Sequence, residues 1–504
     1  MRKLLIPLSI VLSSLGLAAC GGGSNDRMPT PAPAAPPVRG SLIEAPARTA
    51  SLTPAQIAAA LTSAPEGQLL LDLIVAPKCG IDVYHVRYNT VDPAGAATTA
   101  SAAMMIPTGS DPVCQGARPI VLYAHGTAVQ RSLNLANIST EDNLEGLLAA
   151  TMFTTQGYIL IAPNYAGFDD SALPYNPYLN ADQQSKDMVD ALAAARSSLP
   201  GVTDSGKLFV TGYSQGGHVA MATHKLLQDT GATITASAPM SGPYAIAAFA
   251  DAVFFGQVTR GTPLFLVFTA TGYQKAYGDV YSTPTDIFEA RYATGIESLL
   301  PSAVPRTQLF AEGKLPRDQL FDSTPPDPSY AQFTPATTPA SLAPIFAQGF
   351  GPDHLVTNAF RLAYLQDAQA NPDGSFPNVI DNRPAANPAN GLRRAFKRND
   401  LRTWLPNAPV FLCGGDQDPT VLFMNTELIQ AYWAANSAPA PVTVLDLDSD
   451  ITPGDPDAAR KAGFAAAKAA LAADGGAAAV AESYHSTLVP PFCLSAVKSF
   501  FDGK

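Results

Sequence analysis

Residues Gly212-Tyr213-Ser214-Gln215-Gly216-Gly217 set a serine among glycines, directly after the apolar run Leu208-Phe209-Val210 and before a helical pattern from His218 to Leu227. A serine on a sharp strand-to-helix turn has its hydroxyl pushed clear of the sheet. The flanking glycines remove Cβ atoms that would collide at the bend. The helix start behind the serine offers free N–H groups and partial positive charge. This is an arrangement for nucleophilic attack on a carbonyl carbon.

A serine hydroxyl is a poor nucleophile at neutral pH. It needs a histidine base, and the histidine needs a carboxylate to fix its tautomer and stabilise its charged form. On an elbow of this kind the order along the chain is serine, acid, histidine. There are six histidines. His85 falls in an edge strand, His125 precedes the serine, His218 and His224 sit on the helix behind it, and His354 belongs to a long insertion. His485, in the polar stretch Glu482-Ser483-Tyr484-His485-Ser486, follows the last strand and precedes a C-terminal helix, where the base belongs.

The acid is expected after the apolar strand Ala408 to Cys413. Asp416 and Asp418 both qualify, in Gly414-Gly415-Asp416-Gln417-Asp418-Pro419-Thr420-Val421. Asp418 stands just before the small apolar turn Pro-x-Val, which resembles the usual placing of the acid in hydrolase loops, and this resemblance makes it the expected acid. Asp416 is then a turn former that bonds its own backbone. The oxyanion formed on attack needs two N–H donors. Gln215, next to the serine, is one. The other is expected from Thr127, in the loop Ala124-His125-Gly126-Thr127.

These groups require strands that end together. Strand patterns run over 81–91, 98–106, 119–124, 158–162, 207–211, 234–238, 408–413 and 442–447, with helical patterns over 143–156, 181–199, 425–436, 457–473 and 492–501. Strands alternating with helices predict a mostly parallel sheet covered on both faces, with an antiparallel hairpin at its edge. Residues 244–400 interrupt the alternation. They are too long for a loop and read as a mostly helical cap over the strand ends, where open sheets bind ligands.

Taken together, His125-Gly126-Thr127, Ala162-Pro163-Asn164-Tyr165-Ala166-Gly167, the serine elbow and Gly414-Gly415-Asp416-Gln417-Asp418-Pro419 resemble the secretory lipase branch of the α/β-hydrolases, which includes fungal lipase A-type enzymes. The pieces span about 119 to 485. Asn164 departs from the pattern, where an aspartate is expected, and should affect loop packing. The resemblance implies hydrolysis of carboxylic esters without a cofactor, often with a cap that shapes an acyl tunnel. A capped serine aminopeptidase shares this sheet and elbow. It would need cap acids for a substrate's amino terminus, and Glu289, Glu297 and Glu312 are scattered rather than clustered. A third reading is a non-catalytic binding lipoprotein, against which the complete set of serine, acid and histidine counts.

Composition sets the address and the class. The chain has 504 residues, 47% hydrophobic and 14% charged, with a formal net charge of -11, so it carries no basic footprint for nucleic acid. Arg2 and Lys3 precede an apolar stretch, Leu4 to Leu15, too short for a comfortable membrane span. Leu17-Ala18-Ala19-Cys20 resembles a bacterial lipobox. That implies cleavage before Cys20, lipidation of Cys20 and a membrane anchor. Gly21, rather than Asp, implies transport to the outer membrane. Pro29 to Pro37 reads as a tether. The expected organisation is a signal peptide over 1–19, a tether over 20–50, a first part of the core over 51–243, the cap over 244–400 and a second part of the core over 401–504.

Cys79, Cys114, Cys413 and Cys493 remain, an even number in an exported chain. Of three pairings, Cys79–Cys114 with Cys413–Cys493 is favoured, because each pair would tie neighbouring elements of one sheet. No Cys-x-x-Cys spacing suggests zinc. Asp446, Asp448 and Asp450 alternate, followed by Asp455 and Asp457, but lack the glycine and distal glutamate of an EF-hand loop. They read as a solvated loop, and no metal site is expected.

Overall fold

The computed structural model describes residues 37–62, 76–138 and 143–504. The signal peptide, Cys20 and most of the tether lie outside these residues.

Nine strands form one sheet: β1 (Ala47–Leu52), β2 (Gly80–Val91), β3 (Ala97–Thr108), β4 (Ala117–Ala124), β5 (Ile159–Pro163), β6 (Thr203–Tyr213), β7 (Ala236–Met240), β8 (Val410–Gly414) and β9 (Val442–Asp446). Their order across the sheet is β1-β2-β3-β5-β4-β6-β7-β8-β9. β1, β2 and β3 are antiparallel, β3 meets β5 antiparallel, and β5 to β9 run parallel. Strands such as Ile159–Pro163 and Val410–Gly414 are apolar throughout because helices cover both faces. One face packs on helices Leu144–Phe153 and Val489–Asp502, through Phe153, Phe492 and Phe501. The other packs on helices Ala181–Arg196 and Gln215–Asp229, through Met188, Leu192 and Val219.

Two boundaries differ from the sequence reading. β1 occupies Ala47–Leu52, so folded structure begins inside the stretch read as tether. Its sequence, Ala-Arg-Thr-Ala-Ser-Leu, is exposed along most of its length and has no apolar alternation to announce it. Only pairing with β2 makes it a strand. The helix expected over 457–473 continues to Ser483, across a kink at Gly476 where φ is 69°.

β7 and β8 are neighbours, Met240 opposite Cys413, although the insertion separates them in sequence. Within the insertion the elements are helices, led by Ile246–Phe254, Thr262–Tyr277, Asn358–Ala370 and Gly391–Asn399. Leu264 to Phe268 belongs to the second of these. Phe288 to Leu299 forms short turns, and Thr283 with Asp286 forms the cap before them. Arg393 joins this layer: its guanidinium holds Asp251 at 2.7 Å and Asp367 at 2.9 Å, all three buried. Arg402 does the same at the join to the sheet, with Asp373 at 2.7 Å and Asp400 at 2.9 Å.

Candidate active site

Ser214 stands between β6 and the helix Gln215–Asp229 with φ 59° and ψ −120°, a left-handed conformation disfavoured for a residue with a Cβ. The neighbours impose it. A Cβ on Gly216 would lie 1.9 Å from the Ala124 carbonyl oxygen, and one on Gly212 would lie 2.4 Å from the same atom. Only glycine lets β4 and the elbow approach this closely. The Ser214 N–H donates to the Met240 carbonyl at 3.0 Å, which pins the turn to β7.

His485 Nε2 lies 2.8 Å from Ser214 Oγ, and His485 Nδ1 lies 2.6 Å from Asp418 Oδ2. The three side chains therefore form one hydrogen-bonded line, assembled from three separate parts of the chain. Asp418 is 1% exposed. Its other oxygen accepts from the Thr420 and Val421 N–H groups at 2.8 and 3.1 Å, so the apolar turn after it orients the carboxylate. Asp416 is exposed. Its N–H donates to Asp446 Oδ1, and its carboxylate accepts from Gln417 Nε2. It does not bond its own backbone as a turn former would.

His485 sits in a π turn, Tyr484–Leu488, between two helices, rather than in a loop. The prolines account for this: Pro490 and Pro491 have no N–H for the carbonyls of Ser486 and Thr487, so the i→i−4 ladder fails here. Tyr213 Oη donates to the His485 carbonyl at 2.7 Å and fixes the turn. The other five histidines are engaged elsewhere. His85 lies 2.7 Å from Asp169, His218 2.9 Å from the Asn399 carbonyl, His224 2.8 Å from Ser237 Oγ and His354 3.2 Å from Glu289. His125 is buried against Tyr165, and desolvation pushes its imidazole down to about 4, holding it neutral beneath the Gly126–Thr127 loop.

Of the alternating aspartates, Asp446 and Asp448 are clamps, while Asp450 is exposed as a solvated loop would leave it. Asp446 accepts from the Asp416 and Asp448 N–H groups at 3.0 and 2.9 Å. Asp448 accepts from the Gln417 N–H at 3.1 Å and from Tyr484 Oη, and pairs with Lys468. One carboxylate thus bridges the loop carrying Asp418 and the residue before His485. Asp455 pairs with Lys461, and Asp457 with Arg460. A cluster that spacing did not suggest, His85 with Asp169 and Asp170, could offer metal ligands. There Asp169 accepts from Ser101 at 2.7 Å, and Asp170 faces the Arg87 guanidinium at 2.7 Å, which competes with a cation.

The Gln215 and Thr127 backbone N–H groups have no acceptor among the described residues, as oxyanion donors require. Asn164 Nδ2 donates to Ser101 Oγ at 2.8 Å while its Oδ1 accepts from the Leu135 N–H at 2.8 Å. An aspartate could not make both bonds. Cys79 is bonded to Cys114 and Cys413 to Cys493.

Ser214 opens onto two spaces. An apolar cavity of about 80 Å³ lies under the insertion, walled by Ile246, Ala250, Phe254, Phe265, Leu266 and Thr269. A cleft of about 630 Å³ runs the other way past Thr127, Glu145, Arg260, Arg306 and His485. Phe255, although beside Phe254, packs on Phe333 and Phe376 instead of the cavity. Glu289, Glu297 and Glu312 line neither space. Glu289 faces His354, Glu297 accepts from Tyr281, and Glu312 accepts from Gln308.

No protein-family model and no curated protein matches the chain. Solved structures do. A ligand-bound form of the rice cell wall degrading esterase LipA from Xanthomonas oryzae matches at TM-score 0.67 and 24% identity, over 92% of this chain and 98% of that one. Another LipA structure matches at TM-score 0.63 and 26% identity, over 89% and 98%. A putative hydrolase from Legionella pneumophila matches at TM-score 0.62 and 17% identity, over 92% and 97%. The chain has the α/β-hydrolase fold. In that hydrolase fold the serine elbow follows β6, the acid loop follows β8, and the histidine follows β9, each at the end of the sheet that the insertion covers.

Proposed function

We propose that the protein is an exported serine esterase of the secretory lipase, lipase A-like branch. Ser214 is the nucleophile, His485 the general base and Asp418 the orienting acid. The observation that carries this reading is the hydrogen-bonded line Asp418–His485–Ser214 at the meeting point of an apolar cavity and an open cleft.

In the proposed reaction His485 Nε2 takes the hydroxyl proton as Ser214 Oγ bonds to the ester carbonyl carbon. The oxyanion is held by the N–H groups of Gln215 and Thr127. His485 then gives the proton to the departing alcohol oxygen as the C–O bond breaks, leaving an acyl-enzyme. A water deprotonated by His485 attacks that ester. The second oxyanion collapses, and Ser214 leaves with the proton from His485. Asp418 stays ionised and balances the imidazolium. The reaction uses no cofactor.

The acyl chain is assigned to the apolar cavity and the alcohol to the wider, more polar cleft. Residues 244–400 then act as the cap that shapes the acyl site, between core segments 51–243 and 401–504. The likeness to an esterase supports an ester substrate. Export rests on the leader over 1–19, and the two disulfides fit an oxidising compartment. The anchor is a lipid on Cys20, with an outer-membrane location.

Aryl esters of increasing acyl length, assayed beside aminoacyl anilides for wild type and Ser214→Ala, test the reading. Ester turnover that vanishes in Ser214→Ala is expected. Preferred cleavage of the anilides would move the reading to a capped aminopeptidase. Turnover of neither by the wild type would leave a binding lipoprotein.

A further inference from the structure

Glu145 is a carboxylate beside the reacting centre for which the ester hydrolysis above has no step. It stands in the first turn of the helix Leu144–Phe153, whose start is capped by Asn143. Its Oε1 accepts from the Gly126 N–H at 2.9 Å and from Tyr123 Oη at 2.9 Å. It shares the cleft wall with Thr127, Ser214 and His485. Burial raises its carboxyl above the ordinary range, while the two hydrogen bonds and the facing His485 pull the other way.

These contacts bear on the loop after β4. With the Gly126 N–H bound to Glu145, the next N–H along the chain, that of Thr127, is the one left without an acceptor among the described residues. A backbone donor serves an oxyanion only if it is aimed before the charge develops, and a loop held at one end by a half-buried acceptor is so aimed. The fit is close: a Cβ on Gly126 would lie 3.3 Å from Glu145 Oε2 and 3.5 Å from the Tyr213 carbonyl oxygen. Tyr123, the second donor to Glu145, belongs to β4, so the carboxylate is itself fixed to the sheet.

We propose that Glu145 is the positioning residue of the oxyanion loop, holding Gly126 so that the Thr127 N–H faces the substrate carbonyl at Ser214. This inference rests on the esterase reading of the same site.

The test is turnover of a butyryl aryl ester, expressed per Ser214 titrated with a serine-directed phosphonate. A merely structural loss would lower the titrated fraction and leave the rate per site alone. Glu145→Ala is expected to lose about 10- to 100-fold in kcat per titrated site with KM within about three-fold, the size of a donor misplaced by roughly 1 Å. Glu145→Gln keeps an oxygen able to accept both bonds and is expected to recover at least about half of that loss on a logarithmic scale. Should Glu145→Ala not fold, Tyr123→Phe carries the test, since it removes one of the two donors that fix the carboxylate, and a smaller loss of the same kcat-selective kind is expected. A rate per site within three-fold of wild type in the folded variant, or a Gln variant as impaired as Ala, overturns the positioning role alone. A wild type that the phosphonate does not label refutes the esterase reading, and the positioning role with it.

Discussion

The disulfide between Cys413 and Cys493 joins the strand that delivers Asp418 to the helix that follows His485. Asp418 and His485 are thus covalently linked through their own supports. The bond closes a sequence separation of 80 residues, against 35 for Cys79–Cys114.

Replacing Cys413 and Cys493 together by alanine is expected to lower stability by about 4 kcal/mol, read from the denaturant midpoint. It should also reduce kcat, because the Asp418–His485 bond loses its tie. Removing Cys79 and Cys114 should lower stability by a similar or slightly smaller amount and leave kcat per folded molecule nearly unchanged. Equal effects of both pairs on kcat would show that the bond does not support the site.

Asp418→Asn is expected to lower ester hydrolysis by on the order of 10⁴-fold, since the amide cannot stabilise the imidazolium and favours the wrong tautomer. Asp416→Asn should stay within about ten-fold of wild type, because its carboxylate is exposed and meets only Gln417. Ser214→Ala and His485→Ala should cost at least as much as Asp418→Asn, with circular dichroism unchanged. Steady-state rates on one aryl ester decide the assignment; a crippled Asp416→Asn beside an active Asp418→Asn would transfer the acid's role.

The apolar cavity predicts acyl length. Ala250 lies in its wall, on the helix Ile246–Phe254. Ala250→Phe should fill it and shorten the preferred acyl chain, leaving acetyl esters hydrolysed. Each methylene no longer buried should remove up to about 0.8 kcal/mol of binding, roughly four-fold in kcat/KM. An unchanged chain-length profile for both Ala250→Phe and Leu266→Phe would place the acyl chain elsewhere.

At the N-terminus, Cys20→Ser should abolish lipidation and normal lipoprotein processing. Mass spectrometry of the mature protein reads this directly. An unmodified N-terminus at any residue other than 20 would refute the anchor.

The parts legible in the sequence are those set by neighbours along the chain. The elbow at Ser214 needs glycine at 212 and 216 because β4 passes within contact distance, and those glycines are visible in the letters themselves. The strands from β2 to β9 and the helices outside the insertion are legible within a few residues, because burial against neighbouring layers forces apolar runs and helical periods. Asp418 stands out from Asp416 through the Pro-x-Val turn, where the Thr420 and Val421 N–H groups donate to its carboxylate.

Other features belong to tertiary structure because they depend on pairs of residues far apart in sequence. β1 has no apolar pattern, and its pairing with β2 alone makes it a strand. Asp446 and Asp448 look like any acidic run until the acid loop and Tyr484 are folded against them. Glu145 reads as an ordinary helix-start acid, and only the approach of Gly126 and Tyr123 turns it toward the reacting centre. The division of space around Ser214 into a small apolar cavity and a larger, more polar cleft comes from how two helices of the insertion lie over the sheet. Composition records that the insertion is apolar; which of its side chains line the cavity beside the serine, as Phe254 does and Phe255 does not, is decided by packing.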